Sequence, residues 1–341
     1  MDNYSLPATY FLSRVLDCEI IDVPKITNRT IELGVRYSPD FVCTPFKYTL
    51  GSFIEGLEKG ANILIQQGGG CRYGYYSEVQ EVILKDLGYK FRMINLVNAG
   101  HTDLKRIYKI LKSISEIKLL KLIYYFFNTK LIINYMDLLD DYIRKNIGFI
   151  SNPDNYKNIK NRFLKEIVSY DSPFDIRRCY KKYMKELKLI KVIKPDKVLK
   201  IGIIGELFTL MEPFANYDIE MHLAKKGIEV TRFTNVTYLL FEKKRKLNRK
   251  INKSSYIKYR MGADASDNIY WTEKLCKENY DGIIHIKSSF CTPEIGAMPI
   301  ISKICKEYKV PVIFMSFDSN TSEVGVKTRL EAFYDMLEMN K

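Results

Sequence analysis

Two stretches of this chain set short apolar runs between helical periodicities, an alternation that suits a parallel sheet covered by helices. In the first, Leu50, Phe53, Ile54 and Leu57 recur at helical spacing from Phe46 onward, and Gly60 closes that helix after Lys59. Residues 61–65 then read as a buried strand and Gly68-Gly69-Gly70-Cys71 as a sharp loop. Val79, Val82, Ile83 and Leu87 mark the next helix, and residues 91–96 a further strand. A helix over residues 6–16, a strand over 19–23 and a short helix over 29–35 are expected ahead of these. In the second stretch, strands are expected at residues 198–204, 281–286 and 310–316 and helices at 295–308 and 328–337, with residues 230–241 mixed.

Between them, residues 103–191 carry long helical patterns rich in Lys, Tyr, Leu and Ile, broken at Asn152-Pro153 and Ser172-Pro173. At 341 residues the chain is long enough for two cores. The expectation is an α/β protein of two parallel-sheet, Rossmann- or flavodoxin-like lobes. Residues 1–102 would form the lobe with Cys43 and Cys71, residues 103–196 a basic helical insert, and residues 197–341 the lobe with Cys291. The Tyr124-Tyr125-Phe126-Phe127 run in the insert reads as packing surface.

The net charge of +14 raises the question of nucleic-acid binding. The excess is confined to two segments: residues 101–200 carry 23 basic against 11 acidic residues, and residues 241–260 carry nine basic residues and only Glu242. A solvated Lys-rich surface is the plainer reading, with a basic nucleic-acid-binding protein kept as an alternative. No run of about 18 apolar residues occurs and the first ten are too polar for a signal peptide, so the expected setting is cytoplasmic, without a membrane.

Seven cysteines without an export signal speak for reduced thiols or a metal site. Cys71 and Cys291 follow strands, at the carboxyl edge where ligands of open parallel sheets sit. Cys43 precedes Pro45 and a helix start, where free N–H groups favour a thiolate. Spacings of 28 and 220 residues fit no zinc finger or ribbon, and spacing alone favours ordinary buried cysteines. Cys276 and Cys305 read as helix-core residues, and Cys18 and Cys179 have no evident partner. Gly205 and Glu206 reach the same carboxyl edge as Cys291, as a ligand contact or, more plainly, as a tight turn with a capping carboxylate. Arg72 would neutralise an anionic cluster, hold a carboxylate or phosphate, or lie on the surface. Glu294 belongs to the first turn of the helix after Cys291, and His222 and His285 read as packing residues. There is no Gly-x-x-x-x-Gly-Lys-Ser/Thr loop and no Gly-x-Ser-x-Gly elbow, so neither P-loop ATPase nor hydrolase chemistry has support.

The blocks Cys43-Thr44-Pro45-Phe46-Lys47, Gly51-Ser52-Phe53-Ile54-Glu55-Gly56-Leu57-Glu58-Lys59-Gly60-Ala61 and Gly70-Cys71-Arg72-Tyr73-Gly74-Tyr75-Tyr76 open a series. It continues with Gly202-Ile203-Ile204-Gly205-Glu206, Glu212-Pro213-Phe214-Ala215-Asn216 and Cys291-Thr292-Pro293-Glu294, and ends with Phe317-Asp318, Glu323 and Thr328-Arg329-Leu330-Glu331-Ala332-Phe333. In this order the blocks, spread over most of the chain, resemble the 2-hydroxyacyl-CoA dehydratase superfamily, D-component-like, and the proteins labelled CoA protein activase or activase-related. Two departures stand out: Gly68 occupies a position where relatives often have a further cysteine, and a leading strand before residues 6–16 is absent.

The resemblance implies that Cys43, Cys71 and Cys291 ligate one iron-sulfur cluster of 4Fe-4S type, with Arg72, Gly205, Glu206 and Glu294 around it. It also implies a redox protein charged by a separate ATP-dependent activase, with an acyl-CoA as candidate substrate, in a homo- or heterodimer. A non-catalytic accessory or electron-relay subunit is the alternative within the same resemblance.

Overall fold

Four strands, Lys200–Gly205, Glu229–Arg232, Gly282–Ser288 and Val312–Phe317, form the larger of two parallel sheets in this computed structural model, which describes residues 2–98, 101–102 and 104–339. Taken in chain order they lie second, first, third, fourth, and every neighbouring pair is parallel. In this flavodoxin-like order the strand direction of travel reverses between Lys200–Gly205 and Gly282–Ser288, and a crevice opens beyond their carboxyl ends. Ile201 and Ile203 pack on one face with Leu330 and Phe333, while Ile204 and Ile283 pack on the other with Ile269 and Ile301. Helices therefore cover both faces, and every residue of Gly282–Ser288 is buried, including the polar His285 and Lys287.

The smaller sheet pairs Ile63–Gln66 with Arg92–Asn95 in parallel, close to the expected runs, and Val97–Asn98 forms a short antiparallel pair with His101–Thr102. Its support comes from helices Asn28–Tyr37 and Thr44–Glu58. A Cβ on Gly34 would lie 1.9 Å from the Lys47 carbonyl oxygen, and one on Gly51 1.9 Å from that of Thr30. The two helices thus meet backbone to backbone. The strand expected over residues 19–23 does not form: residues 19–27 carry no regular structure, and Pro24 removes a ladder donor beside the run.

Helices Leu104–Lys112, Leu119–Asn146, Pro153–Ile167 and Pro173–Leu189 occupy the middle of the chain. Asp103, where the insert was expected to begin, lies outside the described residues. The two predicted breaks are helix starts, with the Asn152 and Ser172 side chains accepting from the N–H groups of Asp154 and Phe174 and proline in the first turn. Ile132, Phe163, Ile176, Cys179 and Leu187 share one core, onto which Tyr10 of the first helix, Ser5–Val15, also packs. In the aromatic run Tyr125 packs inward, but Tyr124, Phe126 and Phe127 are exposed by 44, 43 and 58%.

The basic segment after residue 241 differs from a simple solvated face. A π-helical turn, Tyr238–Glu242, leads into helix Lys243–Lys253, and two of its lysines turn inward. Lys243 lies 2.7 Å from Asp264 and 3.1 Å from Asp267, and the Lys250 amine lies 3.2 Å from Asp267 and 3.5 Å from the centre of the Trp271 ring. Among the described residues no helix is long and apolar enough to cross a membrane.

Candidate functional site

Cys43, Cys71 and Cys291 each occupy the residue before a helical segment: Thr44–Glu58, the 3-10 turn Arg72–Tyr75 and Thr292–Tyr308. The two longer helices begin Thr-Pro, proline being tolerated where no intrahelical donor is needed. The contacts of the three differ: the Cys71 sulfur receives the Tyr73 N–H at 3.5 Å, whereas the Phe46 N–H goes to the Cys43 carbonyl at 3.0 Å and the Ile295 N–H to the Cys291 carbonyl at 3.0 Å, and neither of those two sulfurs caps its helix. The Tyr76 hydroxyl lies 2.6 Å from the Cys43 sulfur.

Helix-start N–H groups were expected to favour thiolates, and burial outweighs them. Desolvation pushes the Cys43 thiol up to about 12 and raises those of Cys71 and Cys291 as well, the charge of Glu206 adding to each shift. Cys43 also acts on Cys291, and Cys71 on Cys43. Burial and the neighbouring negative charge thus oppose the thiolate form at all three sulfurs. Among the described residues no three His, Cys, Asp or Glu side chains come together closely enough for a single metal ion.

Direct contacts bring the Cys43 and Cys71 loops against the loop that carries Cys291. The Thr44 N–H donates to Ser288 Oγ at 2.8 Å and the Thr44 hydroxyl to the Phe317 carbonyl at 2.9 Å. Arg72, exposed, donates to the Phe290 carbonyl at 2.8 Å and to Thr292 Oγ1 at 3.2 Å. Its guanidinium thus joins the two sheets' loops next to Cys291, a role that none of the sequence readings had assigned to it.

Gly205 ends its strand at φ +146°, and a Cβ there would meet the Ile286 carbonyl oxygen at 1.8 Å. The turn directs Glu206 to the start of helix Leu207–Met211, where its carboxylate accepts from Phe208 N, Thr209 N and Thr209 Oγ1 at 2.7, 3.0 and 2.7 Å. The capping reading describes these contacts. Burial nevertheless pushes the Glu206 carboxyl up to about 7, against those hydrogen bonds.

Glu294 is fully buried. Its carboxylate accepts from Asn268 Nδ2 at 3.0 and 2.9 Å and lies 2.8 Å from His285 Nε2, while Asn268 also bonds both backbone groups of Gly205. His285, expected as a packing residue, is therefore the partner of Glu294, and its Nδ1 has no hydrogen-bond partner among the described residues. Asn268 and Ser288 were absent from the sequence reading, and Tyr76 entered it only as the end of a resemblance block. The one available signal was the repeated Cys-Thr-Pro, at Cys43-Thr44-Pro45 and Cys291-Thr292-Pro293, which marks Thr44 as part of the site. Cys276 and Cys305 lie in the core as expected, and Cys179 is buried in the insert while Cys18 is exposed.

A cavity of ≈ 2370 Å³ runs beside this group, well above the usual ~300–1,000 Å³ of a small-molecule pocket. Tyr73 and Phe208, each two residues beyond Cys71 and Glu206, line it together with Ile123, Phe126 and Phe127.

Residues 237–337 match the family model described as 2-hydroxyglutaryl-CoA dehydratase, D-component. The match contains Cys291, His285 and Glu294 and stops short of Cys43 and Cys71. No curated protein matches the chain.

Proposed function

We propose that this chain, whose residues 237–337 match the D-component model, is a D-component-like protein of the 2-hydroxyacyl-CoA dehydratase superfamily and holds one iron-sulfur cluster, of 4Fe-4S type, on Cys43, Cys71 and Cys291. The observation that carries the proposal is that each of the three cysteines opens a helical segment and that Thr44 and Arg72, the residues after Cys43 and Cys71, bond to Ser288 and Phe290 of the loop that carries Cys291. When bound, such a cluster supplies a low-potential electron, and an iron without a cysteine ligand supplies a Lewis-acidic position.

The chain's own residues supply the rest. The Tyr73 N–H orients the Cys71 sulfur, and the Tyr76 hydroxyl lies against the Cys43 sulfur. Thr44, Ser288 and Arg72 hold the loops of the two sheets together. The cavity lined by Tyr73 and Phe208 would admit a substrate, with an acyl-CoA as candidate, and exclude bulk water behind it. With no phosphate-binding lysine loop of its own, the chain would be charged by a separate ATP-dependent activase. The inward pairing of Lys243 and Lys250 with Asp264 and Asp267 weakens the nucleic-acid alternative, since these charges are not offered to phosphates.

The test is iron and acid-labile sulfide analysis of anaerobically purified protein. The wild type is expected to be brown and to contain both, Cys43→Ser, Cys71→Ser and Cys291→Ser each to lose most of the iron, and Cys305→Ser to keep it. Equal loss from Cys305→Ser would overturn the ligand assignment.

A further inference from the structure

We propose that the cavity beside the cysteines binds a long aliphatic acyl chain. The proposal deepens the reading of that cavity as the substrate space and rests on it, but the binding itself needs no cluster. Among the described residues the wall is built largely of apolar side chains from segments far apart in sequence: Leu12 of the first helix, Phe53 of Thr44–Glu58, Ile133 of Leu119–Asn146, and Leu240 and Phe241 of the π-helical turn. Charged residues reach it from exposed positions, Glu19, Asp22, Lys25, Lys59, Lys105 and Lys165, with the exception of the buried Glu212, whose carboxylate accepts from the Phe214 N–H. Such a wall suits a hydrocarbon chain and offers a small polar ligand few partners.

The space exists because a core is missing there. Three small apolar clusters border it, around Leu111, Tyr48 and Ile133, each with three or four buried residues, and they do not merge. Protein interiors pack with few voids larger than a water molecule, and a domain usually closes around one contiguous core. A gap of ≈ 2370 Å³ with apolar walls leaves hydrocarbon surface facing water. An alkyl chain laid along it removes that surface, with a stabilisation that grows with each methylene buried, and a short acyl group would cover only part of it. Two further features fit a chain better than a compact ligand. The cavity reaches both Tyr73 and Phe208, at the cysteine site, and Leu119, Ile123, Phe126 and Phe127 of the insert, which are exposed by 43–58% and belong to none of the apolar clusters. These four form the lip by which a chain enters. Another wall is residues 19–26, which carry no regular structure and include Ile20, Ile21, Val23 and Ile26. That wall can shift around a ligand without breaking a helix or a sheet.

The experiment is a fluorescence titration of the purified full chain with cis-parinaric acid, a long-chain fatty acid whose emission rises on leaving water, followed by displacement with palmitate and with octanoate. Saturable binding is expected, and palmitate is expected to displace the probe at a concentration about a hundredfold or more below that of octanoate. Ser52→Trp and Leu240→Trp, which fill the cavity from two different walls, are each expected to weaken parinarate about tenfold or more. Phe174→Ala, at an exposed residue off the wall, should leave it unchanged. Should both tryptophan variants fail to fold, the wild-type displacement decides the question. Uptake that does not saturate, equal potency of palmitate and octanoate, or full binding in a folded tryptophan variant would overturn the proposal. Cys43→Ser should bind parinarate as the wild type does. Chain-length-dependent binding by a wild type without iron or sulfide would overturn the cluster and leave the role of the cavity standing, whereas iron and sulfide without such binding would do the reverse.

Discussion

The two sheets arrive at the same motif by different means. In the larger one the strand leading toward Cys291 is buried along its whole length and flanked by parallel partners on both sides. In the smaller one, strand Ile63–Gln66 alternates half-buried and buried residues and has one parallel partner. The threonines that follow the two cysteines reflect this. Thr292 is exposed and accepts a hydrogen bond from Arg72, whereas Thr44 is buried and bonded to Ser288 and Phe317, residues 244 and 273 positions away. The larger sheet positions its cysteine from within, while the smaller one positions Cys43 by leaning on its neighbour.

The strongest way to break this comparison is at the rigid end. Gly205→Ala would force a Cβ to 1.8 Å from the Ile286 carbonyl in a backbone conformation that side chains rarely adopt, so a loss of more than about 4 kcal/mol is expected in urea unfolding. A loss under about 1 kcal/mol would mean that the crevice between the two central strands is not tightly packed.

A middle-sized effect should come from the junction. Thr44→Val keeps the shape but removes the hydroxyl's bond to the buried Phe317 carbonyl, which retains the Ser289 N–H at 2.8 Å, for an expected cost of about 0.5–1.5 kcal/mol and faster amide exchange at Thr44. Thr292→Val, on the exposed copy of the motif, should cost no more than about 0.5 kcal/mol. Equal costs for the two would remove the distinction between a self-supported and a leaning cysteine loop.

The smallest effect concerns acid. Burial pushes the Asp318 carboxyl up, but hydrogen bonds from Asn320 N–H, Ser289 and Thr321, with the nearby Lys47 charge, more than offset it and hold it below the usual carboxylate range. Because the folded state lowers this value, Asp318 stabilises the fold fully above the unfolded carboxylate value of about 3.9 and loses that contribution as pH falls through the lower folded one. The stability gap between wild type and Asp318→Asn, at most about 1 kcal/mol, should therefore shrink below about pH 4. A gap that stays constant from pH 7 to pH 3 would place the junction's strength elsewhere.

What the sequence determined by itself is the part that neighbours along the chain decide. Apolar runs between helical periodicities specified the two parallel sheets, Asn152-Pro153 and Ser172-Pro173 specified two helix starts, and the spacing of Cys305 with Ile301 and Ile304 placed it in a core. Cysteine followed by proline two residues on marked the helix starts at Cys43 and Cys291, because capping and a proline-tolerant first turn are local properties. Residues 19–23 looked like a strand, yet a strand exists only where another offers its hydrogen bonds, and none does. The remaining features were decided by tertiary structure, since each depends on groups distant in sequence. Arg72 meets Phe290 across 218 residues, and Glu294 finds Asn268 behind the sheet. Lys250 reaches Trp271 only because a helix folds back over it. The three thiols are raised by burial, which no local pattern encodes: desolvation is a property of everything packed around a sulfur, and it outweighs the few N–H groups that its own helix supplies.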